Sequence, residues 1–448
     1  MLKHTTYYLI AFLIFTQSFA VAQKGKSLKQ VRNLVEEKQI ASTVQTGTQD
    51  GSKVDTTYSL DAFVNEVQQK NPRLQAFKTR IQSSEARVPQ ATAWDDPQAA
   101  VEFFATPVTS ANPFRDGMET DYSLQQAIPL FGQKSLMGNV ARANVGMTEQ
   151  SAAAIERSLI ADAKRSYAML YSAQRRLDVN EENQRLLKQI IESARAKYSV
   201  GLTSQGDVLK VQVELAKLQN ERATLQQELV AAEAMMNALR ASPANTEIGR
   251  VAEKQPQQFT GAQDELFDRS LNDRPELRAM RYEIEMNNAE VAVAKRMRFP
   301  ELMLRGMYKD MKEGTDQWAA MIGINIPLAP WGIGKYSGKV EESELNVRSS
   351  EQSLADMQNM VKAEVRDAFA KVQSRWQQID RYQQTILPQA EQSLQSTLAS
   401  YQTDKADFLS LLDTYRLVQM FKMEYYMVVG EYFSNLAALE RAVGSDLQ

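Results

Sequence analysis

A mainly helical fold with a small β part, written twice in one chain, is what this 448-residue sequence predicts. Three features predict it. A repeat holds one register at an offset of about 203 residues, two stretches of about 65 residues are nearly free of proline, and four segments of about ten residues alternate with period two.

Residues 1–22 combine a basic Lys3, an apolar run over 7–15 and small residues at Ala20 and Ala22, the layout of a secretory signal peptide. The mature chain is expected to start near Gln23. Residues 23–57 are polar and are expected to form a disordered leader with a short helix over 28–38. No later run approaches the roughly 18 apolar residues of a spanning helix, which excludes a helical membrane protein. Cysteine is absent, and the only histidine, His4, lies in the signal segment. This excludes a disulfide framework, a Cys/His zinc site, a Ser-His-Asp triad, a thiolate nucleophile and a lipid-modified N-terminal cysteine. Neither an enzyme nor a cofactor is expected. The net charge of −3 is spread along the chain and offers no basic face for nucleic acid.

The first structural repeat is expected over 58–262 and the second over 263–448. Asn71-Pro72-Arg73-Leu74 pairs with Arg274-Pro275-Glu276-Leu277, Ala76 with Ala279, Ile81 with Ile284, Pro97 with Pro300 and Tyr198 with Tyr401. Each half then reads as short helix, helix, two strands, long helix, turn, long helix.

The long helices are expected over 133–198 and from 335 to about 400. At about 1.5 Å per residue each is a rod on the order of 100 Å, too long for a compact globule. Within the first rod, Leu159, Ala163, Ser166 and Leu170 begin a 4,3 spacing that continues through Asn180, Gln184, Leu187, Ile191 and Ala194 to Tyr198. That is a coiled-coil seam. Its small and polar members suit helices arranged around a space, although an ordinary helical stalk would carry the same periodicity.

Strands are expected over 98–107, 118–130, 301–311 and 316–328. Val101 and Phe103 alternate with Glu102, Tyr122 and Leu124 with Ser123, Leu304 and Tyr308 with Arg305 and Lys309, and Trp318, Ala320, Ile322, Ile324 and Ile326 with Gln317 and Asn325. Alternation alone favours two soluble hairpins on a core. The strands are also long enough to cross a bilayer when tilted, but four cannot close a barrel and lipid tolerates no open edge. If they insert, three copies supplying about twelve strands are required.

The turn after the first rod reads Tyr198-Ser199-Val200-Gly201-Leu202-Thr203-Ser204-Gln205-Gly206-Asp207-Val208-Leu209. With the repeat, and with Ile-Pro-Leu closing both the second strand (Ile128 to Leu130) and the fourth (Ile326 to Leu328), the chain resembles the TolC family of outer-membrane efflux proteins from about residue 58 to residue 443. The resemblance implies a trimeric 12-stranded barrel in the outer membrane of a Gram-negative cell, an α-barrel tunnel in the periplasm, and docking to a periplasmic adaptor and an inner-membrane pump of RND type. It implies passive conduction. By the same resemblance the adaptor-contact tip is Tyr198, Val200, Gly201, Leu202 and Thr203. Phe408-Leu409-Ser410-Leu411-Leu412-Asp413 and Trp94-Asp95-Asp96-Pro97 look like the heavy-metal-efflux members, making metal cations the favoured cargo over drugs and peptides.

The second tip departs from the pattern, with Asp404 where a glycine is usual. Threefold repetition of Asp404 and Asp407 would make carboxylate rings that favour cations at the periplasmic gate, whereas the plainer reading has these acids capping the last helix. Met303, Met307 and Met311 share the predicted lumenal face of the third strand, and thioether sulfur suits Cu(I) or Ag(I). Gap filling is the commoner use of methionine. The competing function is a non-channel periplasmic coiled-coil protein of the adaptor type, which has a helical hairpin but no duplicated pair of strand pairs.

Overall fold

The computed structural model describes residues 57–130, 132–327, 332–403 and 405–447. The signal segment, leader residues 23–56, Leu328 and Asp404 lie outside the described residues.

The chain folds as α1 (Leu60–Lys70), α2 (Pro72–Glu85), α3 (Arg87–Thr92), β1 (Gln98–Phe104), α4 (Pro113–Asp116), β2 (Glu119–Ile128), α5 (Gln133–Ser199) and α6 (Gln205–Leu239). The order then recurs as α7 (Gln263–Asp273), α8 (Pro275–Arg296), β3 (Glu301–Met311), β4 (Gln317–Asn325), α9 (Ile333–Arg381), a π turn (Tyr382–Ile386), α10 (Leu387–Gln402) and α11 (Phe408–Val443).

The local starts follow from their caps. Ser59 accepts from the Ala62 amide to open α1, and Asn71 accepts from Arg73 at 2.9 Å to open α2, with Pro72 needing no hydrogen bond in the first turn. In the second half Arg274 stands where Asn71 stood. Asn71 Nδ2 donates to the Leu239 carbonyl at 2.7 Å and Arg274 Nη1 to the Ala442 carbonyl at 3.3 Å, and each bond spans 168 residues. Both tie the start of a repeat to the end of its own last helix.

The 67-residue α5 rises over about 100 Å. Its seam is buried from Leu159 through Ala163, Ser166, Leu170, Asn180, Gln184 and Leu187 to Ala194, and it ends at Tyr198, which is 48% exposed. The second rod is interrupted. Residues 382–386 form a π turn, with Leu387 N–H bonding back to the Tyr382 carbonyl, just before Pro388 removes an amide from the ladder. This corrects the expectation of one unbroken helix from 335 to 400.

Among the described residues the two larger of three apolar clusters lie along the helices. The larger gathers Phe63, Leu170, Leu277, Val365, Ile379, Tyr432 and Leu439. The other, towards the helical turns, gathers Leu187, Ile191, Val211, Leu218, Leu394, Leu411 and Tyr415. A small third cluster of Val179, Leu225 and Met423 lies beside a polar group, where Asn180 Nδ2 reaches the Leu218 carbonyl at 3.1 Å and Glu221 at 3.0 Å, and Gln184 donates to Asn180 at 2.7 Å.

The strands form one antiparallel sheet in the order β1-β2-β3-β4. The halves of the chain meet at the β2–β3 pair, and β1 and β4 are its two edges. β1 is shorter than the expected 98–107 because Ala105 takes φ 51°, which turns the backbone out of the ladder. Among the described residues no helix is long and apolar enough to cross a membrane.

Candidate functional sites: the strand faces and the helical tips

The register sorts the sheet into two unlike faces. Val101 pairs with Tyr122, Tyr122 with Tyr308 and Tyr308 with Trp318, so one row across all four strands is three aromatics and a valine. Below it on the same face come Leu124, Leu304 and Ile322, then Ile128, Leu302 and Ile324. These side chains cover nothing within the chain: Trp318 is 81% exposed, and Tyr122, Leu124, Tyr308, Ile322 and Ile324 are exposed too. An apolar face of this size on a sheet has no satisfactory position in water.

The opposite face is polar. Arg305 lies 2.8 Å from Glu102 and donates to Ser123 at 3.1 Å. Lys309 is paired with Glu119 and lies 3.3 Å from Asp121. The cations come from β3 and the carboxylates from β1 and β2, so the charges are matched across strands.

At the first tip, α5 closes with the Gly201 amide donating to Tyr198 at 3.0 Å and the Leu202 amide to Lys197 at 2.9 Å. Together these form the doubly bonded left-handed stop, and Gly201 supplies its φ of +77°. Ser204 and Asp207 then form a capping box at the start of α6, with Ser204 Oγ accepting from the Asp207 amide at 3.2 Å. The turn leaves Val200 68% and Leu202 63% exposed, with Tyr198 beside them and Thr203 bonded to Asp207 at 3.1 Å. Burial pushes the Asp207 carboxyl up, but hydrogen bonds from Ser204, Lys210 and Thr203 outweigh it and hold the group below the usual carboxylate range.

At the second tip the Lys405 amide donates to the Ser400 carbonyl at 2.8 Å, the same five-residue reach as Leu202 to Lys197. The Lys405 amide thus repeats at this tip the closing bond that Leu202 makes at the first. Asp407 caps α11, accepting from the Ser410 amide at 3.0 Å, and the Ser410 side chain and amide hold its pKa down. The capping reading of Asp407 is thus realised in the fold, and an ionised cap is also an exposed negative charge. Sequence reasoning missed the bridges behind the tips: Arg416 lies 2.7 Å from Glu214, and Gln419 donates to Glu221 at 3.0 Å. Their only signals were a carboxylate on one helix and a guanidinium or amide on another, which carry no register.

Met303, Met307 and Met311 share the polar face of β3. Four residues along a strand is about 13 Å, however, so these three do not converge on one ion. Among the described residues no group of three His, Cys, Asp or Glu could hold a metal.

The model of the family described as outer membrane efflux protein matches twice, over residues 63–241 and again over 266–445. The cobalt-zinc-cadmium resistance protein CzcC of Cupriavidus metallidurans is 21% identical over 395 residues, covering 86% of this chain and 90% of its own length. Among solved structures, the outer-membrane channel OprN superposes with a TM-score of 0.73 at 18% identity, covering 87% of this chain and 90% of its own. CusC, a transmembrane channel, does so with a TM-score of 0.71 at 20% identity, covering 90% and 96%.

Proposed function

The chain belongs to the outer membrane efflux protein family, and we propose that it is the exit duct of a tripartite efflux system, a homotrimer conducting its cargo passively from periplasm to exterior. The observation that carries this is the sheet: one exposed apolar face, one charged face and two unpaired edges. Lipid forbids an unpaired edge, so β4 of one copy pairs with β1 of the next and three copies close a barrel of about twelve strands. The eleven residues of β3 run to about 37 Å, which at a tilt of about 45° spans an apolar band of roughly 25 Å. The row of Tyr122, Tyr308 and Trp318 then lies at one membrane interface.

The two chain segments 58–262 and 263–448 act as repeats that give each subunit two strand pairs and two tips. The rods form the periplasmic tunnel. Tyr198, Val200, Gly201, Leu202 and Thr203 meet the adaptor, because an exposed apolar turn on a capped, rigid hairpin is a contact surface in want of a partner. The adaptor links the duct to an inner-membrane pump of RND type. Carboxylate rings at Asp404 and Asp407 favour cations at the gate. The relationship to CzcC supports heavy-metal cations as cargo. The duct performs no catalytic step.

The test is fractionation and conductance. Heat-modifiable trimers in the outer membrane that conduct in planar bilayers support the reading. A soluble periplasmic monomer sinks it and favours the adaptor-type alternative.

A further inference from the structure

We propose that Met321 forms, with Met303 or Met307, a thioether site for a soft monovalent cation, Cu(I) or Ag(I), on the polar face of the sheet. Its placement in a transport lumen rests on the channel reading above, but the site itself does not.

The first observation is a partition. All four methionines of β3 and β4, Met303, Met307, Met311 and Met321, stand on the charged face, as the strand alternation and register require. The face turned the other way uses leucine, isoleucine, tyrosine and tryptophan. Methionines serving only as apolar cover would belong there.

The second observation is the register. Met321 pairs with Arg305, the residue midway between Met303 and Met307 on the same face. It is therefore the diagonal neighbour of both, at about 7 Å between strands, within the reach of two flexible thioether chains. Met303 and Met307 are about 13 Å apart and do not share an ion, so Met321 pairs with one or the other. Met311, six residues along from Arg305, is too distant to take part.

The third is space and charge. The residues directly opposite Met303 and Met307 are Gly323 and Ala319, so neither thioether is crowded by its cross-strand partner. A Cβ added at Gly323 would stand 3.7 Å from the Met303 Cβ, in the space the side chain now has for itself. The Arg305 charge between them is balanced by Glu102 at 2.8 Å. Thioether sulfur selects Cu(I) and Ag(I) over Zn(II) or Co(II), which want imidazole, thiolate or carboxylate. The geometry offers Met321 with either neighbour, a two-sulfur set suited to weak capture and release.

The test is Ag(I) titration of the full-length protein purified in detergent, with X-ray absorption to detect silver–sulfur scattering and trimer formation followed in parallel. The wild type is expected to bind Ag(I) through sulfur. Met321→Leu should weaken binding at least tenfold, and the triple variant Met303→Leu, Met307→Leu, Met321→Leu should abolish it, while Met311→Leu and Met360→Leu leave it unchanged. Leucine conserves volume, so trimers are expected throughout. Should the triple variant fail to fold, Met321→Leu alone decides the matter. Equal Ag(I) affinity in wild type and Met321→Leu overturns the proposal. Silver binding by a protein that does not conduct would support this site and remove the duct reading instead.

Discussion

The Lys197 ammonium at the first tip donates to the Tyr401 carbonyl at the second, at 2.5 Å, and stands 4.3 Å from the centre of the Tyr401 ring. Lys197 is in the last turn of α5 and Tyr401 in the last turn of α10, so one side chain joins the ends of both rods. A cation there also meets the partial negative charge of two helix C-termini. Replacing Lys197 with Met keeps the stem and removes the charge. Hydrogen exchange at residues 398–403 should then quicken by the equivalent of about 1–3 kcal/mol of lost local stability. Unchanged exchange there would show that the tips are independent.

Gly201 tests what the left-handed stop requires. A Cβ at this residue would meet nothing within 4 Å, so any cost of substitution comes from its φ of +77° and not from crowding. Gly201→Val should destabilise the turn by about 1–2 kcal/mol, and Gly201→Asp by less, since short polar side chains tolerate this region. The comparison is read from amide exchange at Leu202, whose bond to Lys197 depends on the turn. Equal costs for the two variants would contradict this account.

Glu214 is only 7% exposed and faces Arg416 at 2.7 Å and Lys217 at 3.4 Å. Arg416→Ala leaves the carboxylate with the poorer partner and should cost about 1–3 kcal/mol, discounted because the guanidinium is partly solvated. Pairing Arg416→Met with Glu214→Leu should recover most of it. A double-mutant cycle on thermal unfolding of the protein checks this, and additive losses would mean the bridge carries no coupling.

What the sequence made legible was whatever repeats or alternates. The seam from Leu159 to Ala194, the strand faces around Tyr122 and Tyr308, and the glycine stop at Gly201 were each written in a local period or a residue type. The π turn at Tyr382–Ile386 was not: Pro388 marks the place in the sequence, but not the extra residue in the turn before it. The Met321 neighbourhood was hidden for a similar reason. Alternation gives the face of a strand, but only the pairing of Met321 with Arg305 says which residues of β3 it stands between. The cross-helix bridges of Glu214 and Glu221 needed the relative rise of two helices, which no local pattern encodes.

Acid should loosen both tips together. Asp207 and Asp407 each cap a helix and each has its pKa held below the ordinary value. A carboxyl with a depressed folded-state pKa contributes stability above its unfolded pKa of about 3.9 and loses it as pH falls through the folded value. The tip helices should therefore be pH-independent from neutrality down to about pH 5 and fray progressively below about pH 4. In Asp207→Asn the acid-dependent step at α6 should vanish, with a constant, lower stability in its place. Circular dichroism and exchange at residues 204–210 measure both. Fraying that begins near pH 6 would assign the titration to some other group.

The two faces of the sheet predict opposite tolerance to the same charge. Ile322 lies on the exposed apolar face and its cross-strand neighbour there is Leu304, whereas Gln317, on the same strand, lies on the charged face opposite Lys309. Ile322→Arg puts a guanidinium where lipid is expected and should reduce membrane insertion by the equivalent of about 2–4 kcal/mol if the site is near the midplane. Gln317→Glu, opposite Lys309, should insert as the wild type does, because that face is already charged and wet. Folding yield into vesicles separates the two. Were Ile322→Arg to insert normally while Gln317→Glu failed, the charged face would have to meet lipid, and the barrel would be inside out.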